Sequence, residues 1–119
     1  MKASTRIGVV GAGVTGSRVV AHLFSLGYDT LAVTDTSLPK AQQLASLYRT
    51  PLRIIHVVDI AEMSHCDIVV LACARPHATL ALSLIERGVH VVSISDDVGD
   101  TMSLLDVNDV AIAREATLV

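Results

Sequence analysis

The chain has 119 residues, of which 51% are hydrophobic and 18% charged, and its formal net charge is −3. The longest apolar run, residues 68–74, is well short of the roughly 18 residues that cross a bilayer, so we expect no membrane partner. The acidic balance and the 3% aromatic content also exclude a basic or base-stacking surface, so we expect no nucleic-acid partner.

Short apolar runs alternate with helical patterns from the first residues onward. Such runs are typical of parallel strands that helices cover on both faces. Gly27 and Gly88 are placed to end two helices, and Asp59 and Glu62 have the spacing of a capping box. In chain order we predict strand 6–10, helix 15–26, strand 30–34, helix 37–48, strand 52–57, a short helix from 59, strand 67–73, helix 77–87, strand 90–94, helix 100–114 and strand 117–119.

This alternation predicts an α/β fold with a doubly wound, mostly parallel sheet of the Rossmann type. Right-handed crossovers give the strand order 3-2-1-4-5, with the sixth strand at the far edge. We expect residues 1–119 to form one dinucleotide-binding domain. Because the chain stops inside the apolar run 116–119, we expect a longer protein in which a C-terminal substrate domain follows.

A glycine pattern, Gly11, Gly13 and Gly16, follows the first strand and opens the first helix. The first glycine permits a tight turn, the second lets a pyrophosphate approach the backbone, and the third allows close packing of helix on sheet. The amides of Val14 and Thr15 then face the ligand at the positive end of the helix dipole. The alternative is a glycine-rich turn without a ligand.

Asp35 lies at the end of the second strand, where an acidic side chain accepts hydrogen bonds from the adenosine ribose. It would repel a 2′-phosphate, and Thr36 and Ser37 follow it rather than an arginine. We therefore favour NAD as cofactor and keep NADP as the alternative. The alternative for Asp35 itself is a cap at the start of the next helix.

Further candidates for cofactor binding follow the fourth and fifth strands, whose carboxyl ends line the ligand crevice of such sheets. They are Ala72, Ala74 and Arg75 after strand four, and Ser95 after strand five. Arg75 has the alternative of a solvated loop side chain. His77 begins its helix or acts in catalysis, and we assign no catalytic residue.

The cysteines and histidines indicate neither a disulfide nor a metal site. Cys66 and Cys73 flank one strand, which would separate them by more than about 20 Å, too far for a disulfide. Reduced thiols of this kind favour a cytoplasmic protein. Four histidines lack metal-ligand spacing with another histidine or with a cysteine: His22, His56, His65 and His90.

Residues 7–16 and 66–74 resemble the cofactor domain of saccharopine dehydrogenase-like oxidoreductases. Residues 84–97, in which a strand ends in a Ser/Asp pair, are similar to a later part of that domain. Residues 104–114 and 117–119 are similar to its next helix and strand. A weaker resemblance links residues 77–82 and 86–90 to glucose–fructose oxidoreductase-type enzymes, although their lysine-proline signature after strand five is missing here.

The first resemblance implies an NAD(P)-binding domain that holds the cofactor for hydride transfer. It puts Gly11, Gly13 and Gly16 at the pyrophosphate and Asp35 at the ribose, with the substrate residues mainly beyond Val119. We therefore expect the chain to bind nucleotide with little or no turnover. The alternatives are a regulatory nucleotide-sensing domain, like those attached to potassium channels, and a scaffold that has lost its ligand. The oligomeric state, including a homodimer, stays open.

Overall fold

The computed structural model describes residues 5–28, 30–48, 55–73, 77–94 and 119. Strands and helices alternate along these residues, as the apolar pattern predicts. The elements are β1 (Ile7–Val10), α1 (Val14–Ser25), β2 (Leu31–Thr34), α2 (Leu38–Leu47), β3 (His56–Val57), a 3-10 helix (Ile60–His65), β4 (Ile68–Leu71), α3 (Ala78–Ile85) and β5 (His90–Ser93).

The five strands form one sheet in the order β3-β2-β1-β4-β5, and every pairing is parallel. Val10 lies opposite both Thr34 and Leu71, and Leu71 lies opposite Ser93. The carboxyl ends of four strands are therefore level with one another. This confirms the predicted Rossmann-type fold and strand order.

The position predicted for a sixth strand is supported at Val119. Its N–H donates to the carbonyl of Val91 at 2.8 Å, and its carbonyl accepts from the N–H of Ser93 at 2.7 Å. Two such bonds on either side of one residue are the pattern of a parallel pair. The predicted helix 100–114 and residues 117–118 lie outside the described residues.

Each face of the sheet has its own apolar core. Val9 and Val10 belong to different cores because successive strand residues point to opposite faces. The core beneath α1 and α2 contains Ile7, Val9, Ala12, Val20, Leu31, Val33, Ala41, Leu44, Ile55 and Val70. The core beneath the 3-10 helix and α3 contains Val10, Met63, Val69, Leu71, Ala81, Leu84, Ile85, Val89 and Val91.

The element boundaries differ from the predicted ones by a few residues, and one local prediction is wrong. The short helix expected after Asp59 is a 3-10 helix, and Asp59 makes no side-chain capping bond there. The N–H of Glu62 instead donates to the carbonyl of Asp59 at 3.0 Å. Since a capping box needs this same amide, the backbone bond of the 3-10 turn replaces it.

Some other local predictions are confirmed, and some fall partly outside the described residues. Gly27 and Gly88 follow α1 and α3 with φ values of 96° and 81°, as expected for residues that end helices. Cys66 and Cys73 are free thiols, and burial raises the pKa of Cys66. Residues 52–54 of the third predicted strand are not described. Across the described segments, no helix is both long and apolar enough to span a membrane.

Candidate functional site

The glycine turn connects β1 to α1 at the carboxyl edge of the sheet. Gly11 has a φ of 110°, a left-handed conformation that favours glycine. A Cβ at Gly11 would lie 2.9 Å from the amide nitrogen of Cys73 and 3.0 Å from the carbonyl carbon of Ala72. The backbone just after β4 therefore leaves no room for a side chain at this position.

The front of the turn is open. Gly13 is exposed, and among the described residues other than Gly13 and its two chain neighbours no atom lies within 4 Å of the position where its Cβ would be. Val14 is 70% exposed, Thr15 is exposed too, and the first amides of any α-helix lack partners within the helix. These amides and the helix dipole present positive potential to a ligand at this edge.

At Gly16, the predicted close approach of the helix is to the backbone of Gly11, directly after β1. A Cβ at Gly16 would overlap the carbonyl oxygen of Gly11 and come within 2.7 Å of its carbonyl carbon. The missing side chain thus lets α1 approach the turn that precedes it. Gly11 and Gly16 together fix the shape of the turn, whereas Gly13 leaves its outer surface free.

Asp35 joins the glycine turn to the segment after β2. Its Oδ2 accepts the N–H of Ala12 at 2.7 Å, and its Oδ1 accepts the N–H of Ser37 at 2.7 Å. These amides of Ala12 and Ser37, followed by the positive charge of Lys40, lower the pKa of the carboxyl group, although burial opposes them. The carboxylate is therefore ionised. The side chain of Thr36 also bonds to it, so about one of its roughly four lone-pair positions stays open to a further donor.

The helix-cap alternative for Asp35 applies in part. Ser37 is the N-cap of α2, and Asp35 bonds to its amide from two residues earlier, as in an Asx turn. A structural role for Asp35 thus accompanies the predicted contact with a ribose, which stays a prediction. Thr36 is exposed next to it.

Lys40 is a candidate that the sequence analysis missed. It is exposed in the first turn of α2 and close enough to Asp35 to act on its pKa. No basic residue directly follows Asp35 in the sequence, but the turn before α2 brings Lys40, five positions later, into range. The negative charge of Asp35 at this edge is therefore partly offset.

On the other side of the turn, backbone bonds link the ends of neighbouring strands. The N–H of Ala72 donates to Val10 at 2.9 Å, and the N–H of Ile94 donates to Leu71 at 3.0 Å. Ala72 is half-buried behind Gly11. The predicted site residues Ala74, Arg75 and Ser95 lie outside the described residues.

His77 lies at this edge, and the sequence does not reveal its burial or its hydrogen-bond partners. It is the N-cap residue of α3, and only 1% of its surface is exposed. Its Nε2 is 2.8 Å from the carbonyl oxygen of Cys73, and its Nδ1 is 2.7 Å from the Oγ of Ser93. The only sequence signal is that His77 and Ser93 follow or end neighbouring predicted strands.

The rest of the described chain adds neither a metal site nor a second pocket to this edge. No three described His, Cys, Asp or Glu side chains come together in a group that could bind a metal ion. A cleft of about 270 Å³ lies at the amino ends of β1 and β2, lined in part by Arg6, Thr30, His56 and His65. Because the glycine turn lies at the opposite edge of the sheet, this cleft is not part of the candidate site.

A Rossmann sheet with an open glycine turn and an acidic residue after β2 defines the class of NAD(P)-binding domains of oxidoreductases. The chain belongs to the shikimate / quinate 5-dehydrogenase family, whose model matches residues 2–112. Inositol 2-dehydrogenase 4 of Saccharopolyspora erythraea is 33% identical over an aligned length of 123 residues. The alignment covers 96% of this chain and 35% of that protein.

Solved structures agree with the fold. GenD2 from gentamicin A biosynthesis, in complex with NAD, has a TM-score of 0.78 at 22% identity and matches 100% of this chain and 35% of its own. Biliverdin reductase from Synechocystis sp. PCC 6803, with biliverdin and NADP+, has a TM-score of 0.78 at 18% identity and matches 96% of this chain and 36% of its own. The chain thus spans about a third of the length of these proteins.

Proposed function

We propose that this chain holds the dinucleotide cofactor of an NAD(P)-dependent oxidoreductase. The observation that carries the proposal is the open surface at Gly13, beside the carboxylate of Asp35 at the carboxyl edge of the sheet. A dinucleotide bound there would accept or donate a hydride at its nicotinamide ring, and the protein would supply grip and orientation.

Different residues along this edge would bind different parts of the cofactor. Helix amides at Val14, Thr15 and Gly16, with the bare Gly13 beside them, would bind the pyrophosphate. Asp35 and Thr36 would contact the adenosine ribose. The nicotinamide half would then extend past Gly11 toward the ends of β4 and β5, where Ala72, Ala74, Arg75 and Ser95 are the predicted contacts.

We further propose that NAD is preferred to NADP. An ionised Asp35 repels a 2′-phosphate, and both of its oxygens are held in place by backbone amides. Lys40 lowers this repulsion without removing it, because it is exposed and the contact is screened by water.

We also propose a subfamily for this chain and a further domain that accompanies it. The 33% identity with an inositol 2-dehydrogenase supports the glucose–fructose oxidoreductase-type resemblance, whereas the saccharopine dehydrogenase-like resemblance stays a prediction. Relatives about three times as long as this chain support an accompanying C-terminal substrate domain. The predicted lack of turnover by the chain alone and its cytoplasmic location also stay predictions.

Calorimetric titration with NADH, NADPH and AMP tests this function. We expect NADH to bind more tightly than NADPH, and a double variant, Asp35→Ser with Thr36→Arg, to shift the preference toward NADPH by about tenfold, or about 1.4 kcal/mol. Ser83→Arg is the control for the added arginine, since it places one positive charge at an exposed position of α3, away from the site. Absence of binding by all three nucleotides would refute the proposal.

A further inference from the structure

The imidazole of His77 connects three parts of the carboxyl edge. His77 is the N-cap residue of α3. The Nε2 of its ring is 2.8 Å from the carbonyl oxygen of Cys73 after β4, and the Nδ1 is 2.7 Å from the Oγ of Ser93 at the end of β5. With only 1% of its surface exposed, the ring is shielded from competing water. A buried polar ring bonded on both sides holds its neighbours in one arrangement.

The carbonyl partner shows which ring nitrogen must carry a hydrogen. A carbonyl oxygen only accepts, so Nε2 of His77 carries the hydrogen that it donates to Cys73. In the neutral ring, Nδ1 then accepts the hydroxyl proton of Ser93. Ser93 also donates its backbone N–H to Val119 at 2.7 Å, so its own position is fixed from a second side.

Cys73 connects the imidazole of His77 to the glycine turn. Its carbonyl oxygen accepts from His77, while its amide nitrogen lies 2.9 Å from where a Cβ of Gly11 would be. Ala72, the preceding residue, donates its N–H to Val10 in β1. The backbone at residues 72–73 therefore lies between the glycine turn on one side and the imidazole on the other.

We propose that His77 is a positioning residue of the dinucleotide site. It holds the Ala72–Cys73 backbone at a fixed distance from the end of β5, and this backbone is the floor beneath the nicotinamide half of the cofactor. The inference rests on the proposed function. It concerns one half of the ligand, because the adenosine half would lie at Asp35, on the far side of the glycine turn.

Titration of His77→Phe with NADH and with ADP tests this role. Phenylalanine keeps a buried ring but removes both hydrogen bonds, so we expect NADH binding to weaken by about five- to tenfold. ADP, which lacks the nicotinamide half, should bind within about twofold of its affinity for the unsubstituted chain. His22→Phe, the same exchange at an exposed position of α1, is the matched control and should change neither affinity.

A pair of variants at Ser93 gives a second measurement if His77→Phe does not fold. Ser93→Ala should lower the affinity for NADH relative to ADP by about threefold, and Ser93→Thr, which keeps the hydroxyl, should restore the ratio. Equal NADH-to-ADP ratios in all folded variants and the unsubstituted chain would overturn the inference and leave cofactor binding intact. Failure of the unsubstituted chain to bind either nucleotide would instead overturn the proposed function, and this inference with it.

Discussion

Gly11 and Gly13 belong to one sequence pattern but meet opposite requirements. Gly11 has a left-handed φ and the backbone of Ala72 and Cys73 against it, so a side chain there would disturb the fold itself. Gly13 has an extended backbone, with φ −78° and ψ −159°, and open space where its Cβ would be. Its missing side chain therefore serves no contact within the described part of the protein.

This contrast gives a prediction at the residue scale. Gly13→Val should lower the affinity for NADH by at least about tenfold, because two methyl groups would occupy the space of the pyrophosphate. Its thermal midpoint should stay within about 4 °C of the unsubstituted value, whereas Gly11→Val should lose about 2 kcal/mol or more of unfolding free energy. Calorimetry and thermal unfolding measure the two effects, and unimpaired binding by Gly13→Val would contradict the site.

At the scale of elements, the 3-10 helix is held to the sheet by one side chain. Met63 is fully buried in the core under α3, and it packs over Gly8 in β1. A Cβ at Gly8 would overlap the sulfur of Met63 and lie 3.0 Å from the sulfur of Cys66. The absence of a side chain at Gly8 thus leaves the space that the sulfur of Met63 occupies. The sequence pattern of the helix does not show this contact.

Truncation of Met63 should therefore weaken the fold without reaching the candidate site. We expect Met63→Ala to lower the unfolding free energy by about 2–4 kcal/mol, through lost burial and the cavity that remains. Met63→Leu, which nearly conserves volume, is the control and should cost less than about 1.5 kcal/mol. Urea unfolding measures both, and equal stability of the two variants would show that the cavity closes.

For the whole molecule, Asp35 joins parts of the chain that are 23 residues apart. The amides of Ala12 and Ser37, and then Lys40, hold its pKa below the ordinary value. A carboxyl group whose pKa is lowered by folding adds stability above its unfolded pKa of about 4. That contribution is lost as the pH falls through the lowered folded value, when the carboxylate becomes protonated.

The unfolding free energy should consequently fall as the pH drops below about 5, and part of this fall should disappear in Asp35→Asn. At pH 7 this variant should be about 1–2 kcal/mol less stable, since an amide replaces the charged acceptor at a partly exposed position. Urea unfolding between pH 7 and pH 3 measures the slope. Asp59→Asn is the control, because Asp59 makes no capping bond. Identical slopes in both variants would exclude this role.

Local patterns were enough to predict most of the fold and the glycine turn between β1 and α1. The alternation of strands and helices gave the strand order, because crossover handedness leaves few arrangements of such a chain. Gly11 and Gly16 predicted the shape of the turn, because a left-handed φ at Gly11 and the carbonyl of Gly11 against Gly16 each exclude a side chain. The capping box at Asp59 was wrong because two acceptors compete for one amide, and the pattern does not rank them.

By itself, then, the sequence determined the strand order, the glycine turn and the acidic residue, Asp35, that follows β2. Only the tertiary structure decided that Asp35 bonds to Ala12 and that His77 lies between Cys73 and Ser93. The physical reason is distance along the chain. Bonds between residues 16 and 23 positions apart depend on which strand ends become neighbours and at what register, and that is settled when the sheet assembles.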